Sequence, residues 1–80
     1  MPGWLSMPNL TLYHTSGCHL CEQAFELTQQ LGIQVTLMDI VESQRLIDAY
    51  GVRIPVIQRA DGEELGWPFD AESLQQFINA

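Results

Sequence analysis

Lysine is absent from this sequence. Its cations are three arginines, Arg45, Arg53 and Arg59, set against ten aspartate and glutamate residues, and the net charge is −7. Such a chain does not suit the polyanionic backbone of nucleic acid or an anionic membrane surface. It works equally against long-range attraction of an acidic partner. Long hydrophobic runs are missing too, and none approaches the ~20 apolar residues that a membrane-crossing helix needs. Residues 1–8 hold Pro2, Gly3 and Pro8 without the basic start and apolar segment of a secretory signal. They read as an N-terminal tail from which Trp4 and Leu5 could dock on the body. There is no internal repeat and no low-complexity segment. Cysteine is down to two residues. Two cysteines and no secretion signal point to a reducing compartment, the cytoplasm, where a close pair is catalytic or metal-binding rather than a structural staple. A disulfide across so short a loop would also add little stability by restricting the unfolded chain.

What is present is enough for one small core. Apolar residues make up 46% of the chain, which suits a globular protein and is too many for a disordered one. Eighty residues make one domain, expected over residues 9–80. Leu10 to His14 reads as a first strand, with Leu10 and Leu12 alternating with Thr11 and Tyr13. A helix is expected from about His19 to Leu31, its apolar stripe formed by Leu20, Ala24, Leu27 and Leu31, and Gly32 ends it. Ile33 to Ile40 alternates as a second strand. Asp39 to Ser43 connects to a shorter helix, Ser43 to Tyr50, that Gly51 stops. Val52-Arg53-Ile54 extends into Pro55, because the residue before a proline avoids the helical region. Val56 to Gln58 is a third strand, and the Asp61-Gly62 turn signal leads to a fourth, Glu64 to Gly66. After the loop Trp67-Pro68-Phe69, Asp70 caps a last helix, Ala71 to Asn79, with Leu74, Phe77 and Ile78 facing inward. The order β-α-β-α-β-β-α implies an α/β fold. A helix-connected parallel pair plus a hairpin gives a four-stranded mixed sheet with helices on both faces.

Gly17-Cys18-His19-Leu20-Cys21 holds both cysteines, where the first strand hands over to the first helix. Amide N–H groups in a first helical turn have no partner inside the helix and favour negative charge. A thiol there ionises more easily, and the thiolate is the species that attacks a disulfide. Cys18 falls at or near the N-cap, and Cys21 follows on the same helical face within reach of a small disulfide ring. Cys18 is thus the natural attacker and Cys21 the natural resolver of a mixed disulfide.

The chain resembles the glutaredoxin-like proteins of the thioredoxin superfamily, of a short dithiol type. The resemblance rests on Tyr13-His14-Thr15-Ser16-Gly17-Cys18-His19-Leu20-Cys21, then on Arg53-Ile54-Pro55-Val56, then on Gly66-Trp67-Pro68-Phe69-Asp70. It implies the minimal thioredoxin/glutaredoxin-like fold, the same architecture the element order gives. It implies a thiol–disulfide oxidoreductase that reduces protein or glutathione mixed disulfides through a Cys18/Cys21 dithiol–disulfide cycle. No cofactor is expected to bind tightly, with glutathione or another thiol as co-substrate. The resemblance also implies a cis bond at Ile54-Pro55 beside the cysteines, where the Ile54 backbone pairs with an extended substrate as an added strand. Asp70 matches an aspartate that meets the ammonium end of glutathione, and the same residue is a helix cap. Arg53 is either a solvated surface charge or a group near Cys18 that stabilises the thiolate or a substrate carboxylate. His19, when protonated, would lower the Cys18 pKa, or it is an exposed polar residue.

The chain departs from the family where glutaredoxins carry a lysine before the first cysteine, Pro-Tyr between the cysteines and Thr-Val-Pro. Here stand Thr15 and Ser16, His19-Leu20, and Arg53-Ile54-Pro55. These changes weaken the case for glutathione, itself an anion, and leave thiol–disulfide exchange untouched. The competing reading is a metal or iron–sulfur cluster carrier in which a homodimer shares two cysteine pairs. Within one chain only His14 and His19 could add ligands, and they leave different elements, so no metal site is expected. His14 and Tyr13 are expected to be structural, Tyr13 in the core. Trp67 and Phe69 either line an apolar groove near the cysteines or belong to the core. The expected partner is a disulfide-containing protein or small thiol, met by a monomer.

Overall fold

The computed structural model describes residues 10–79. The expected tail, residues 1–8 with Trp4 and Leu5, lies outside the described residues, as do Asn9 and Ala80. The elements are β1 (Thr11–His14), α1 (His19–Gln30), β2 (Thr36–Asp39), a 3-10 turn (Ile40–Glu42), α2 (Gln44–Tyr50), β3 (Val56–Gln58), β4 (Glu64–Gly66) and α3 (Ala71–Asn79). This is the β-α-β-α-β-β-α order, around a four-stranded mixed sheet in the order β2-β1-β3-β4. β1 runs parallel to β2, with Leu12 opposite Leu37 and His14 opposite Asp39. β3 runs antiparallel to both β1 and β4, with Tyr13 opposite Val56 and Gln58 opposite Glu64. Among the described residues no helix is long and apolar enough to cross a membrane.

Strand alternation divides the core between the two sheet faces. Leu12 and Ile57 point to one face with Leu10, Ala24 of α1, Phe69 and Leu74 of α3, and these form the larger buried cluster. Tyr13 and Val56 point to the other face and pack with Ile40, Tyr50, Leu46, Ile47 and Ile54 around α2. The sheet therefore carries α1 and α3 on one side and α2 on the other, and the C-terminal end of β1 delivers the chain into the cysteine turn.

Two expectations shift, each for a local reason. β2 is shorter than the alternation of residues 33–40 implies. The end of α1 claims the start of that segment, since Gly32 takes φ +70° and the Ile33 N–H donates to Thr28 O at 2.9 Å. Asp39 claims its end by accepting the Val41 N–H at 3.1 Å and opening the 3-10 turn. The buried face of α1 is Cys21, Ala24 and Thr28 rather than a stripe through Leu20, which is 44% exposed. The face is turned so that Cys21 looks into the protein, and buried Thr28 is satisfied because its Oγ1 donates to Phe25 O at 2.6 Å. Leu37 stays 47% exposed because β2 is the sheet's edge.

Leu74, fully buried on α3 and away from the cysteines, tests the core alone. Leu74→Ala is expected to lower unfolding free energy by about 2–5 kcal/mol. Urea denaturation of the oxidised protein measures it, and a loss below about 1 kcal/mol would mean that α3 is not part of the cooperative core.

Candidate functional site

The turn between β1 and α1 sets the cysteines. The Cys18 N–H bonds back to Thr15 O at 3.4 Å, and Gly17 sits at φ +78°, a left-handed conformation that residues with a Cβ adopt at a cost. Space is not the constraint there, since a Cβ on Gly17 would meet nothing within 4 Å. Cys18 is then the N-cap of α1, in extended conformation, and its carbonyl accepts the Glu22 N–H at 3.2 Å. Its Sγ accepts the Cys21 N–H at 3.2 Å, so the sulfur takes the place usually filled by a cap oxygen. Cys18 and Cys21 form a disulfide with Cα atoms 5.2 Å apart. Cys18 is half-buried while Cys21 is 4% exposed, which makes Cys18 the outer cysteine and Cys21 the inner one.

A cavity of about 140 Å3 adjoins the disulfide. Leu12, Phe25 and Leu37 give it apolar walls, and His14, Thr15 and Glu22 give it polar ones beside the two cysteines. His14 was expected to be structural, and its place on the wall that holds both cysteines follows from strand geometry. Leu12 and His14 alternate onto the α1 side of β1, and Leu37 reaches the same face from β2. The signal in the sequence was the two-residue spacing of Leu12 and His14, but it needed the partner strand to become legible.

The other candidate residues do not line this cavity. His19 is exposed, with Nδ1 3.5 Å from the Glu22 carboxylate. The pairing of Tyr13 with Val56 sets the end of β1 beside the start of β3, which Pro55 immediately precedes. Pro55 is buried, its bond to Ile54 is cis, and its carbonyl accepts the Trp67 N–H at 3.1 Å, bringing the 67–70 loop beside it. The Ile54 N–H donates to Tyr50 O at 3.0 Å. A substrate strand paired at Ile54 would have to displace that bond or use the carbonyl. Arg53 is turned toward β4: its guanidinium donates to Glu64 Oε1 at 2.9 Å and to Ala49 O at 3.5 Å, and lies 5.3 Å from the Tyr50 ring centroid. Asp70 caps α3, its carboxylate accepting the Ser73 N–H at 2.8 Å while the side chain stays exposed.

Tyr13 is half-buried and stacks on Tyr50 with ring centroids 4.2 Å apart, and its hydroxyl donates to Gln58 Oε1 at 2.8 Å. Trp67 and Phe69 meet edge to face at 5.0 Å and pack with the larger core cluster. The Tyr50 hydroxyl donates to Glu64. Burial and that bond push the Tyr50 pKa well above the ordinary tyrosine range, so Tyr50 stays a donor. The bonds from Tyr50 and then Arg53 hold Glu64 below the ordinary glutamate range, so it stays a carboxylate. The Ser73 N–H does the same for Asp70. Among the described residues no group of three or more His, Cys, Asp or Glu side chains is arranged to hold a metal ion.

The glutaredoxin-like domain (DUF836) family model matches residues 9–79. The chain belongs to the glutaredoxin-like domain family. Its solved structural relatives include protein XcR50 from X. campestris, whose crystal structure is 41% identical, covers 88% of this chain and 95% of its own, and superposes with a TM-score of 0.82. The solution structure of the same relative gives 40% identity, 89% and 92% coverage and a TM-score of 0.81. Two more distant structures share the fold: protein Ne2328 from Nitrosomonas europaea, at 23% identity, 98% and 99% coverage and TM-score 0.79, and a glutaredoxin from Archaeoglobus fulgidus, at 17%, 100% and 97%, and 0.65. No curated protein matches the chain. As in the glutaredoxin-like reading of the sequence, the cysteine pair of this family member sits at a strand-to-helix turn.

The depressed Glu64 pKa gives a pH test. A carboxylate whose folded pKa lies below its unfolded one contributes stability that is present above the unfolded value and lost as pH falls through the folded one. Glu64→Gln should therefore destabilise the protein near pH 7, and the gap to wild type should close as the pH falls below the ordinary glutamate range. Urea midpoints at neutral and acid pH measure this, and a gap independent of pH would contradict the assignment.

Proposed function

We propose that this glutaredoxin-like protein is a thiol–disulfide oxidoreductase. The observation that carries the reading is the Cys18 sulfur: it belongs to a half-buried residue at the start of α1, accepts an amide N–H and is already paired with an inner cysteine. In the reduced protein the Cys18 thiolate attacks one sulfur of a substrate disulfide. A Cys18–substrate bond forms, and the other substrate sulfur leaves as a thiolate that takes up a proton. The Cys21 thiol loses its proton and attacks Cys18 Sγ, which forms the internal disulfide and releases the second substrate thiol. Two equivalents of an external thiol then restore the dithiol, the first opening the internal disulfide to a mixed disulfide and the second releasing it, and they leave as their own disulfide.

We assign the substrate side to the Arg53-Ile54-Pro55 segment and Asp70. The Arg53-Ile54-Pro55 segment, with its cis bond, offers a backbone edge for an extended substrate. Asp70 offers a carboxylate at an exposed helix start, suited to a substrate ammonium as well as to its own cap. Glutathione or another thiol serves as reductant and leaves after each cycle, so no tightly held cofactor is needed. The protein would act as a monomer on a disulfide-containing protein or small thiol, in a reducing compartment such as the cytoplasm.

Single-turnover reduction of a peptide–glutathione mixed disulfide tests the two cysteine roles. Cys18→Ser should abolish the exchange. Cys21→Ser should still react once and accumulate a mixed disulfide visible by mass. Full activity in Cys18→Ser, or no trapped adduct in Cys21→Ser, would contradict the roles assigned.

A further inference from the structure

We propose that His14 accepts the proton of Cys21 as Cys21 resolves the mixed disulfide, and returns it when an external thiol reopens the internal disulfide. The proposal deepens the disulfide-exchange reading, on which it rests, by naming the group that receives a proton which that cycle must release. Cys21 is 4% exposed and faces the sheet from α1. A thiol enclosed in this way holds its proton more tightly than one in water, yet the thiolate is the attacking species. The proton therefore needs an acceptor close to Cys21. Much of the wall of the cavity beside it offers none, since Leu12, Phe25 and Leu37 are apolar and Thr15 brings only a hydroxyl.

Strand geometry supplies one. Leu12 and His14 alternate onto the α1 side of β1, where Leu12 belongs to the same buried cluster as Ala24 of α1. His14 is half-buried at the end of the strand and shares with Cys18 and Cys21 the wall of one cavity of about 140 Å3. That volume far exceeds the ~15 Å3 that one water needs, so the proton can pass directly or through a water between thiol and imidazole. Imidazole takes up and releases a proton near neutral pH, which suits a group that does both in each cycle. Two carboxylates face the same region. Glu22 follows Cys21 on α1, but its side chain is 73% exposed and lies 3.5 Å from His19 Nδ1. Asp39 stands opposite His14 in the β1–β2 ladder, where its carboxylate accepts the Val41 N–H at 3.1 Å. On the other side of β1 the neighbour is the start of β3, where Pro55 and Val56 bring no charge. In the resolving step the Cys21 S–H bond breaks and its proton goes to an imidazole nitrogen of His14. Cys21 Sγ bonds to Cys18 Sγ, and the substrate sulfur leaves with the electron pair of its bond to Cys18. In the reverse direction an external thiolate attacks Cys18, and the departing Cys21 thiolate takes the proton back.

Reduced protein mixed with dithiodipyridine releases one thiopyridone when Cys18 attacks. It releases a second, at a rate independent of reagent concentration, when Cys21 closes the internal disulfide. Stopped-flow absorbance separates the two phases. His14→Gln should slow the second phase by roughly a hundredfold and the first far less. In the wild type the second phase should rise with pH through the range where imidazole loses its proton, and His14→Gln should remove that rise. In His14→Ala, free imidazole added at constant pH should restore the second phase in proportion to its concentration, which a purely structural role would not allow. Glu22→Gln should leave the second phase far closer to wild type. Equal slowing of both phases by His14→Gln, no gain from added imidazole, or a Glu22→Gln effect as large as that of His14→Gln would overturn the proposal. The wild-type pH profile needs no substitution, so a second phase without the rise would overturn it even if the variants failed to fold. Dithiodipyridine is an activated disulfide that an accessible thiol attacks whatever the natural substrate. Failure to reduce a peptide–glutathione mixed disulfide would therefore count against the oxidoreductase reading and leave the second phase to decide the role of His14.

Discussion

The first turn of α1 has amide groups with no partner inside the helix, and the Cys18 sulfur answers one of them. Much of the local structure serves that contact. Gly17 supplies the positive φ that lets β1 turn directly into the helix, so the sulfur arrives at the cap position. α1 is rotated so that Cys21 faces the sheet, which leaves one cysteine outward and the other enclosed. Both cysteines share a wall with Leu12 and His14 because β1 ends beneath them. An attacking and a resolving thiol require this asymmetry.

The far side of the sheet holds the flanking segment in place. Tyr13, Gln58, Glu64 and Tyr50 come from β1, β3, β4 and α2, and their stack and hydrogen bonds fasten α2 and the chain entering Pro55 to the sheet. The buried hydroxyls and amide there are satisfied, and no buried side-chain polar atom among the described residues lacks a partner. The network also decides what Arg53 presents outward.

Much of the architecture was legible in the residues. β3, β4 and α3 fall at their expected bounds because each is marked by local chemistry: Pro55 before β3, the Asp61-Gly62 turn before β4, and Asp70 capping α3. Alternation alone was less reliable. Ile33 and Val35 continue the pattern of β2 and pack as core neighbours, yet the end of α1 had already claimed the Ile33 N–H. The expected helical stripe holds at Ala24, Leu27 and Leu31 and departs at its start, where Cys21 rather than Leu20 faces the core. In the site, the two cysteines and the capping role of Asp70 were visible from spacing. His14 and Leu37 as neighbours, and Glu64 as the partner of Arg53, depend on strand register, which no short stretch of sequence states.

The charge that the start of α1 can hold at Cys18 decides whether this sulfur can attack a disulfide. Titration of the reduced Cys21→Ser protein, following thiolate absorbance or the rate of alkylation against pH, measures it directly. An apparent pKa at or below about 7.5 is the predicted result for a thiol capping a helix. A value at or above about 8.5, that of an unperturbed cysteine, would show that the helix start does nothing for the sulfur and would contradict the account.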